Sequence, residues 1–119
     1  AFAELQAFNS YLCSTVHVSH AHGGRGARWS DDPGVVEALK LKVTKNMGDH
    51  FDVIEKKMFK GPWVMGEAFS VGDAYLYTLA NWLGRDGVDI KRFPKVADHF
   101  KRMEARPAVA RVLADERAA

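Results

Sequence analysis

The chain has 119 residues, enough to bury a single hydrophobic core, so one domain is expected. Its composition, 47% hydrophobic and 27% charged, is ordinary for a globular protein. A net charge of +2 at pH 7 is too small to indicate a nucleic-acid-binding or membrane-binding surface. The single cysteine, Cys13, excludes an internal disulfide and fits a reducing compartment. There is no signal peptide and no apolar run of membrane-spanning length.

The first segment has the pattern of an amphipathic helix. Its apolar positions recur at steps of three and four: Phe2, Leu5, Phe8, Leu12 and Val16. This pattern predicts a helix that runs to about Ala21. The segment begins at Ala1 as helix interior with no capping residue, so we expect an upstream part of the protein. The glycine-rich stretch 23–29 predicts a loop.

A long second helix is predicted to begin at Asp32 and Pro33. Asp32 is a good N-cap, and Pro33 fits the first helical turn, where a backbone N–H has no partner. The helix should run to about Phe59, with Gly48 as a weak point in its interior. The lysine pair 56–57 and the basic pair Lys91-Arg92 further on are interpreted as solvated charges.

Three shorter helices are predicted in the rest of the chain. The third covers residues 71 to about 83 and is ended by Gly84 and Gly87, the fourth opens at Pro94, and the fifth opens at Pro107. The positions predicted to be buried in the second to fifth helices are Val36, Leu39, Val43, Met47, Phe51, Ile54, Met58, Ala74, Tyr75, Leu79, Leu83, Val96 or Ala97, Phe100, Met103, Val109, Val112 and Leu113.

The predicted fold is therefore an all-α bundle of about five helices that covers residues 1–119. No segment alternates apolar and polar residues with β-branched enrichment, so no strand is predicted. The sequence also contains no glycine-rich phosphate loop, no cysteine pair with zinc spacing and no nucleophile elbow. Nothing in the chain by itself therefore predicts a complete catalytic site.

The start of the third helix has the S-x-x-D spacing of a capping box. The Ser70 hydroxyl can accept a hydrogen bond from the Asp73 backbone N–H, and the Asp73 carboxylate can reach back to the Ser70 N–H. The carboxylate also lies at the positive end of the helix dipole. We interpret Ser70 and Asp73 as structural residues. Phe69 would face only Ala74, so a hydrophobic staple should be weak.

An ordered series of motifs closely resembles the C-terminal helical domain of bacterial, beta-like glutathione transferases. The series is Gly61-Pro62-Trp63-Val64-Met65-Gly66, the capping box, Phe93-Pro94 and Ala105-Arg106-Pro107-Ala108-Val109. In that family an N-terminal thioredoxin-like domain, absent from this chain, holds most of the glutathione and supplies the catalytic Tyr, Ser or Cys. The resemblance therefore implies no catalytic residue and no cofactor here, with glutathione as a co-substrate. Cys13 is expected to be unreactive.

Three of the five histidines, His17, His20 and His22, lie within six residues of one another in the sequence. His17 and His20 are one helical turn apart and share a face, whereas His22 points elsewhere or lies beyond the helix end. An H-x-x-H pair without a third ligand is a poor zinc signature, so capping near the helix C-terminus is favoured over metal binding. No metal site is predicted.

The resemblance also implies a substrate-binding role for some of these residues. Val16-His17 matches a Leu-His pair of the family whose His lines the cleft, although Val18 stands where a Lys often follows. Trp82 matches an Arg-Trp pair, with Asn81 in place of the Arg. The predicted substrate-binding residues are His17, His20, Trp29 and Trp82. In place of the missing Lys, positive charge at the rim of the cleft is expected from His20, His22, Arg25 and Arg28. Core packing of Trp82 and loop anchoring by Trp29 remain alternatives.

The implied function is attack of a glutathione thiolate on a small electrophile, as in detoxification, or thiol exchange with glutathione. The resemblance further implies a cytoplasmic homodimer that binds neither nucleic acid nor membrane. Helical domains of this fold also serve as non-enzymatic interaction modules, and a carrier of hydrophobic compounds is a third possibility, since fold alone does not decide function.

Overall fold

The computed structural model describes residues 2–119 and shows five helical rods and no β-strand in that range. Ala1 lies outside the described residues. The first rod consists of α1 (Phe2–Tyr11), a π-helical turn (Leu12–Val16) and α2 (His17–Gly24), and the second consists of α3 (Pro33–Val53) and a π-helical turn (Ile54–Met58). The other three rods are single helices: α4 (Val71–Asn81), α5 (Pro94–Glu104) and α6 (Pro107–Ala118). The predicted all-α bundle of about five helices is confirmed. No helix among these residues is long and apolar enough to cross a membrane.

The first rod is longer than predicted, because Gly23 and Gly24 belong to α2 and only Gly26–Arg28 forms a separate 3₁₀ turn. A Cβ atom added at Gly23 would lie 3.5 Å from the Val43 side chain. This is an ordinary van der Waals distance, so α2 packs against α3 at Gly23 without requiring a glycine there. Helix propensity is a weak preference of about 1 kcal/mol for a glycine, and tertiary packing overrides it here.

The core consists of apolar side chains from α1 to α5 and the loop before α4. The central residues are Phe8, Leu12, Val16, Met47, Phe51, Ile54, Val64, Leu76, Leu79, Leu83, Phe93 and Val96. Ala74 was predicted to be buried but is exposed, and Leu76 is buried in its place. The predicted core residues Phe2 and Val112 are also exposed. The spacing of apolar residues on α4 allows either of two overlapping faces to be buried, one through Ala74 and one through Leu76. The face through Leu76 is the one that packs against the first rod.

Gly48 and Arg92 correct two interpretations made from the sequence. Arg92 is ion-paired with Asp52, with Nη2 2.6 Å from Oδ2, rather than simply solvated. Its guanidinium lies over Gly48, where an added Cβ atom would be 2.6 Å from Nη1. Gly48 is thus the point at which α3 admits the Arg92 side chain, and not merely a weak position in the helix.

Glu55 caps a helix that is distant in the sequence. Helix α5 begins at Pro94 and has no side-chain cap from its own N-cap residue, Phe93. The carboxylate of Glu55 accepts hydrogen bonds from the backbone N–H of Lys95 at 2.7 Å and of Val96 at 3.1 Å. A buried carboxylate at a helix N-terminus satisfies donors that the helix itself leaves unpaired. It therefore fixes the start of α5 against the end of the α3 rod.

The Asp73 carboxylate joins the loop, α4 and α5. Ser70 and Asp73 form the capping box at α4, where Asp73 Oδ2 accepts from the Ser70 N–H at 2.8 Å. Asp73 Oδ1 also accepts from the Val64 N–H at 2.8 Å and lies 2.9 Å from Nε2 of His99, and the carboxylate and the imidazole are both fully buried. Burial by itself raises the pKa of Asp73, but these hydrogen bonds outweigh it and hold the pKa below its usual value.

His99 has a role that the sequence analysis missed. Phe59 and Trp63 meet its ring edge-on, with centroids 5.5 and 5.8 Å away, and its Nδ1 atom has no hydrogen-bond partner in the described part of the chain. Position 99 lies on the buried stripe of α5, between Val96 and Met103, and this spacing is the signal that could have identified it.

Candidate functional site

A cavity of about 880 Å³ opens between α2, the N-terminal half of α3 and the turn that follows α4. Its lining includes all four residues predicted to bind substrate: His17, His20, Trp29 and Trp82. These residues come from three separate segments of the chain. The structure therefore brings them together around one space.

His20 is held rigidly between a carboxylate and an aromatic ring. Its Nδ1 atom lies 2.8 Å from each oxygen of the Asp86 carboxylate, and its ring stacks on Trp82 with centroids 4.3 Å apart and an angle of 16°. An Nδ1–H that donates to Asp86 leaves Nε2 as the atom that can exchange a proton. Burial raises the pKa of Asp86, and the hydrogen bond from His20 offsets this only in part.

The turn after α4 positions Asp86. The Thr44 hydroxyl on α3 donates to the Asp86 carbonyl at 2.7 Å. Gly87 follows with a φ of 80°, and a Cβ atom there would lie only 2.9 Å from the Thr44 hydroxyl oxygen. Only glycine fits both the left-handed backbone and this close approach. The predicted helix end at Gly84 and Gly87 is therefore also the segment that presents the carboxylate to His20.

His17 meets a second residue of α4. Its Nδ1 atom lies 2.8 Å from the Tyr75 hydroxyl, and its ring centroid is 5.3 Å from that of Trp82. Burial raises the pKa of Tyr75, so the phenol keeps its proton at neutral pH and can donate it to His17. In that arrangement His17 carries its own proton on Nε2. Tyr75, which was predicted to be a core residue, is half-buried and supports the site.

Trp29 lies at the outer edge of the cavity. It follows the 3₁₀ turn Gly26–Arg28, is 48% exposed, and meets the ring of His22 edge-on with centroids 4.4 Å apart. His22 was expected to point elsewhere or to lie beyond the helix end. It is inside α2, and its contact with Trp29 anchors the loop without covering the indole ring.

Cationic side chains form much of the remaining lining. Arg25 and Arg28, named from the sequence as rim residues, lie beside the cavity together with Lys40 of α3 and Arg85 of the turn after α4. Lys40, Arg85 and Asp86 were not identified from the sequence. Nothing in their local spacing distinguishes them from other surface charges, since only the packing of α3 against α2 places them here.

Neither the histidines nor the cysteine of this region forms a metal site in the described chain. No group of three or more His, Cys, Asp or Glu side chains within residues 2–119 is arranged to hold a metal ion. The Nδ1 atoms of His17 and His20 are engaged by Tyr75 and Asp86. Cys13 is exposed, and its thiol donates a hydrogen bond to the Ser10 carbonyl at 3.7 Å.

Comparison with known proteins places the chain in a family. A sequence profile of the glutathione S-transferase C-terminal domain matches residues 19–107. The chain is 25% identical over 84 residues to glutathione S-transferase GstA of Escherichia coli O157:H7, and this match covers 71% of the chain and 42% of that protein. It is 29% identical over 63 residues to disulfide-bond oxidoreductase YfcG of Escherichia coli K12, covering 53% of the chain and 29% of that protein.

A solved structure shows the same fold. The crystal structure of a glutathione transferase homolog from Sulfitobacter with bound glutathione superposes with a TM-score of 0.93 and 38% sequence identity. The match covers 96% of this chain and 55% of that protein, so the chain spans about half the length of this relative and less of the other two. The chain belongs to the glutathione S-transferase C-terminal domain family.

Proposed function

We propose that this chain is the helical half of a glutathione transferase and forms the wall of the pocket for the second substrate. An N-terminal thioredoxin-like domain would bind glutathione and activate its thiol. The observation that carries the proposal is the convergence of His17, His20, Trp29 and Trp82 on one cavity in a chain of this family. None of the three relatives bears the name of an assembly module, so an interaction module is not favoured.

The reaction is either conjugation of glutathione to a small electrophile or thiol exchange with glutathione. In conjugation, the thiolate sulfur forms a bond to the electrophilic carbon and the leaving group departs with the bonding electrons. The indoles of Trp29 and Trp82 would hold the apolar body of the electrophile. His17 and His20, oriented by Tyr75 and Asp86, would present ring nitrogens to developing negative charge.

The assembly that follows from this proposal is a cytoplasmic homodimer with glutathione and a small electrophile as its ligands. The group that ionises the thiol would belong to the N-terminal domain, and the residues assigned within this chain are those that contact the second substrate. We therefore expect that this chain alone folds as a helical protein and gives no saturable heat with glutathione in isothermal titration. Tight stoichiometric binding of glutathione to this chain would overturn the proposed division of labour.

The role of His17 is tested in the polypeptide that joins this chain to its N-terminal domain. His17 is exposed, so His17→Ala should leave the melting temperature nearly unchanged. Turnover of electrophiles at saturating glutathione should fall by up to about 100-fold if the imidazole donates a proton, and by less if it only shapes the wall. Lys57→Ala, an exposed position outside the cavity lining, is the control and should change neither property.

Two results would contradict the proposal. If His17→Ala matches the unsubstituted protein with every electrophile, His17 has no role in the pocket. If the unsubstituted protein shows neither conjugation nor thiol exchange but co-purifies with one defined protein partner, the interaction-module alternative is correct.

A further inference from the structure

The charged side chains that line the cavity are mainly cationic. Four Lys or Arg side chains line it, Arg25, Arg28, Lys40 and Arg85, against a single carboxylate, Asp86. The whole chain has 17 Lys and Arg against 15 Asp and Glu. The cationic excess is therefore concentrated at this cavity rather than spread evenly over the surface.

The four cations have no ion-pair partners within the described part of the chain. None of their nitrogen atoms lies within 4.0 Å of a carboxylate oxygen of residues 2–119. In this respect they resemble most basic residues in the described part of the chain, where only Lys45, Lys60 and Arg92 are ion-paired. The cavity therefore presents positive charge that the chain itself does not neutralise.

The single carboxylate of the cavity does not offset this charge for a ligand. Asp86 is only 8% exposed, and both of its oxygens are directed at Nδ1 of His20. A ligand would meet the His20 imidazole before it met the carboxylate. The hydrogen bond from His20 and the nearby charge of Arg85 offset part of the negative charge that an incoming anion would meet at Asp86.

Aromatic surface lies beside the cations. Trp29 is 48% exposed and directly follows Arg28 in the chain, and Trp82 lines the inner wall against His20. Indole rings offer flat apolar area to a planar ligand, and guanidinium groups pair with carboxylates in a planar, bidentate geometry. The two kinds of surface together match a flat ring that carries an acidic substituent.

We propose that the cavity selects planar aromatic compounds that bear a carboxylate, so that the preferred second substrates are anionic aromatic electrophiles rather than neutral ones. This inference rests on the proposed function for its link to turnover. The binding preference itself is a property of the residues of this chain. It can be measured without glutathione and without the N-terminal domain.

The test compares ligands that share a dinitrophenyl ring, of which only one carries a charge. The chain is dialysed to equilibrium against 3,5-dinitrobenzoate, its methyl ester or 1,3-dinitrobenzene, none of which has a leaving group that could arylate Cys13. We expect the carboxylate to bind about five- to 20-fold more tightly than the ester, the effect of one or two partly exposed ion pairs. The preference should shrink when salt is raised from about 0.02 M to about 0.5 M.

Matched variants locate the site. Arg28→Ala and Lys40→Ala should each weaken dinitrobenzoate binding by about two- to fivefold and leave the ester unaffected. Lys42→Ala is the control, since Lys42 is an equally exposed lysine of α3 that does not line the cavity. Trp29→Ala should weaken both ligands. Retention of the carboxylate preference in an Arg28→Ala, Lys40→Ala, Arg85→Ala triple variant would overturn the proposal.

Other ligands separate the possible origins of the effect. Acetate and glutathione carry carboxylates but no aromatic ring. If either binds as tightly as dinitrobenzoate, the proposed preference for an aromatic ring is wrong. Equal affinity for dinitrobenzoate and its ester would show that the proposed preference for a carboxylate is wrong. In the polypeptide with its N-terminal domain, 4-chloro-3,5-dinitrobenzoate should be conjugated more efficiently than its methyl ester, each rate being divided by the uncatalysed rate with glutathione. Equal turnover of the two would refute the inference and leave the proposed function intact, whereas charge-selective binding without turnover of either would refute the proposed function alone.

Discussion

Replacement of Asp73 by Ala is the substitution that we expect to destabilise this fold most severely. The carboxylate is fully buried and accepts hydrogen bonds from the backbone N–H groups of Val64 and Ser70, both at 2.8 Å, and lies 2.9 Å from Nε2 of His99. Its removal leaves three donors without their acceptor. Each buried unsatisfied donor costs about 1–3 kcal/mol, so the loss of an acceptor shared by three donors costs several times a single hydrogen bond.

We therefore expect Asp73→Ala to lower the free energy of unfolding by about 3–5 kcal/mol, a large part of the total for a domain of this size. Urea denaturation followed by circular dichroism measures this change, and the melting temperature should fall by about 10–20 °C. Asp98→Ala is the control, because Asp98 is an exposed aspartate next to His99 on α5. Ser70→Ala removes only the half of the capping box in which the hydroxyl accepts from the Asp73 N–H, and should cost about 1 kcal/mol.

The pKa of Asp73 adds a pH dependence to the same prediction. Its hydrogen bonds hold the pKa below the usual value although burial opposes them, so the ionised carboxylate stabilises the folded state. This contribution is fully present above the unfolded pKa of about 3.9 and is lost as the pH falls below it, through the folded-state pKa. A loss of less than about 1 kcal/mol in Asp73→Ala at pH 7, or an acid-unfolding curve identical to that of the unsubstituted chain, would refute this reasoning.

Three further predictions concern other contacts within the fold. Glu55→Ala removes the acceptor for two N–H groups of α5 and should cost about 1–3 kcal/mol in urea denaturation. Gly87→Ala should cost about 1–3 kcal/mol, because its φ of 80° is strained for alanine and the new Cβ would meet Thr44; an unchanged urea midpoint would contradict this. Burial lowers the pKa of His50, so stability should decrease as the pH falls below about 6.5, and His50→Gln should remove this part of the pH profile.

The sequence by itself determined the helices and the positions at which they begin. Asp32 caps α3 by accepting a hydrogen bond from the Gly34 N–H at 2.8 Å, and α5 and α6 begin at Pro94 and Pro107 as predicted. These signals are local, since a capping side chain and the donor it satisfies lie within one turn of each other. The series of motifs around the capping box also identified the family, which the comparisons confirm.

Tertiary structure alone decided which side chains meet. His99 pairs with Asp73 across 26 residues of sequence, Glu55 caps α5 across 40, and His20 pairs with Asp86 across 66. The resemblance named the residues of the cavity wall but not the carboxylate that orients His20, nor the charges of Lys40 and Arg85. The periodicity of apolar residues specifies which face of a helix is buried. Which other helix that face contacts depends on how helices distant in the chain pack together.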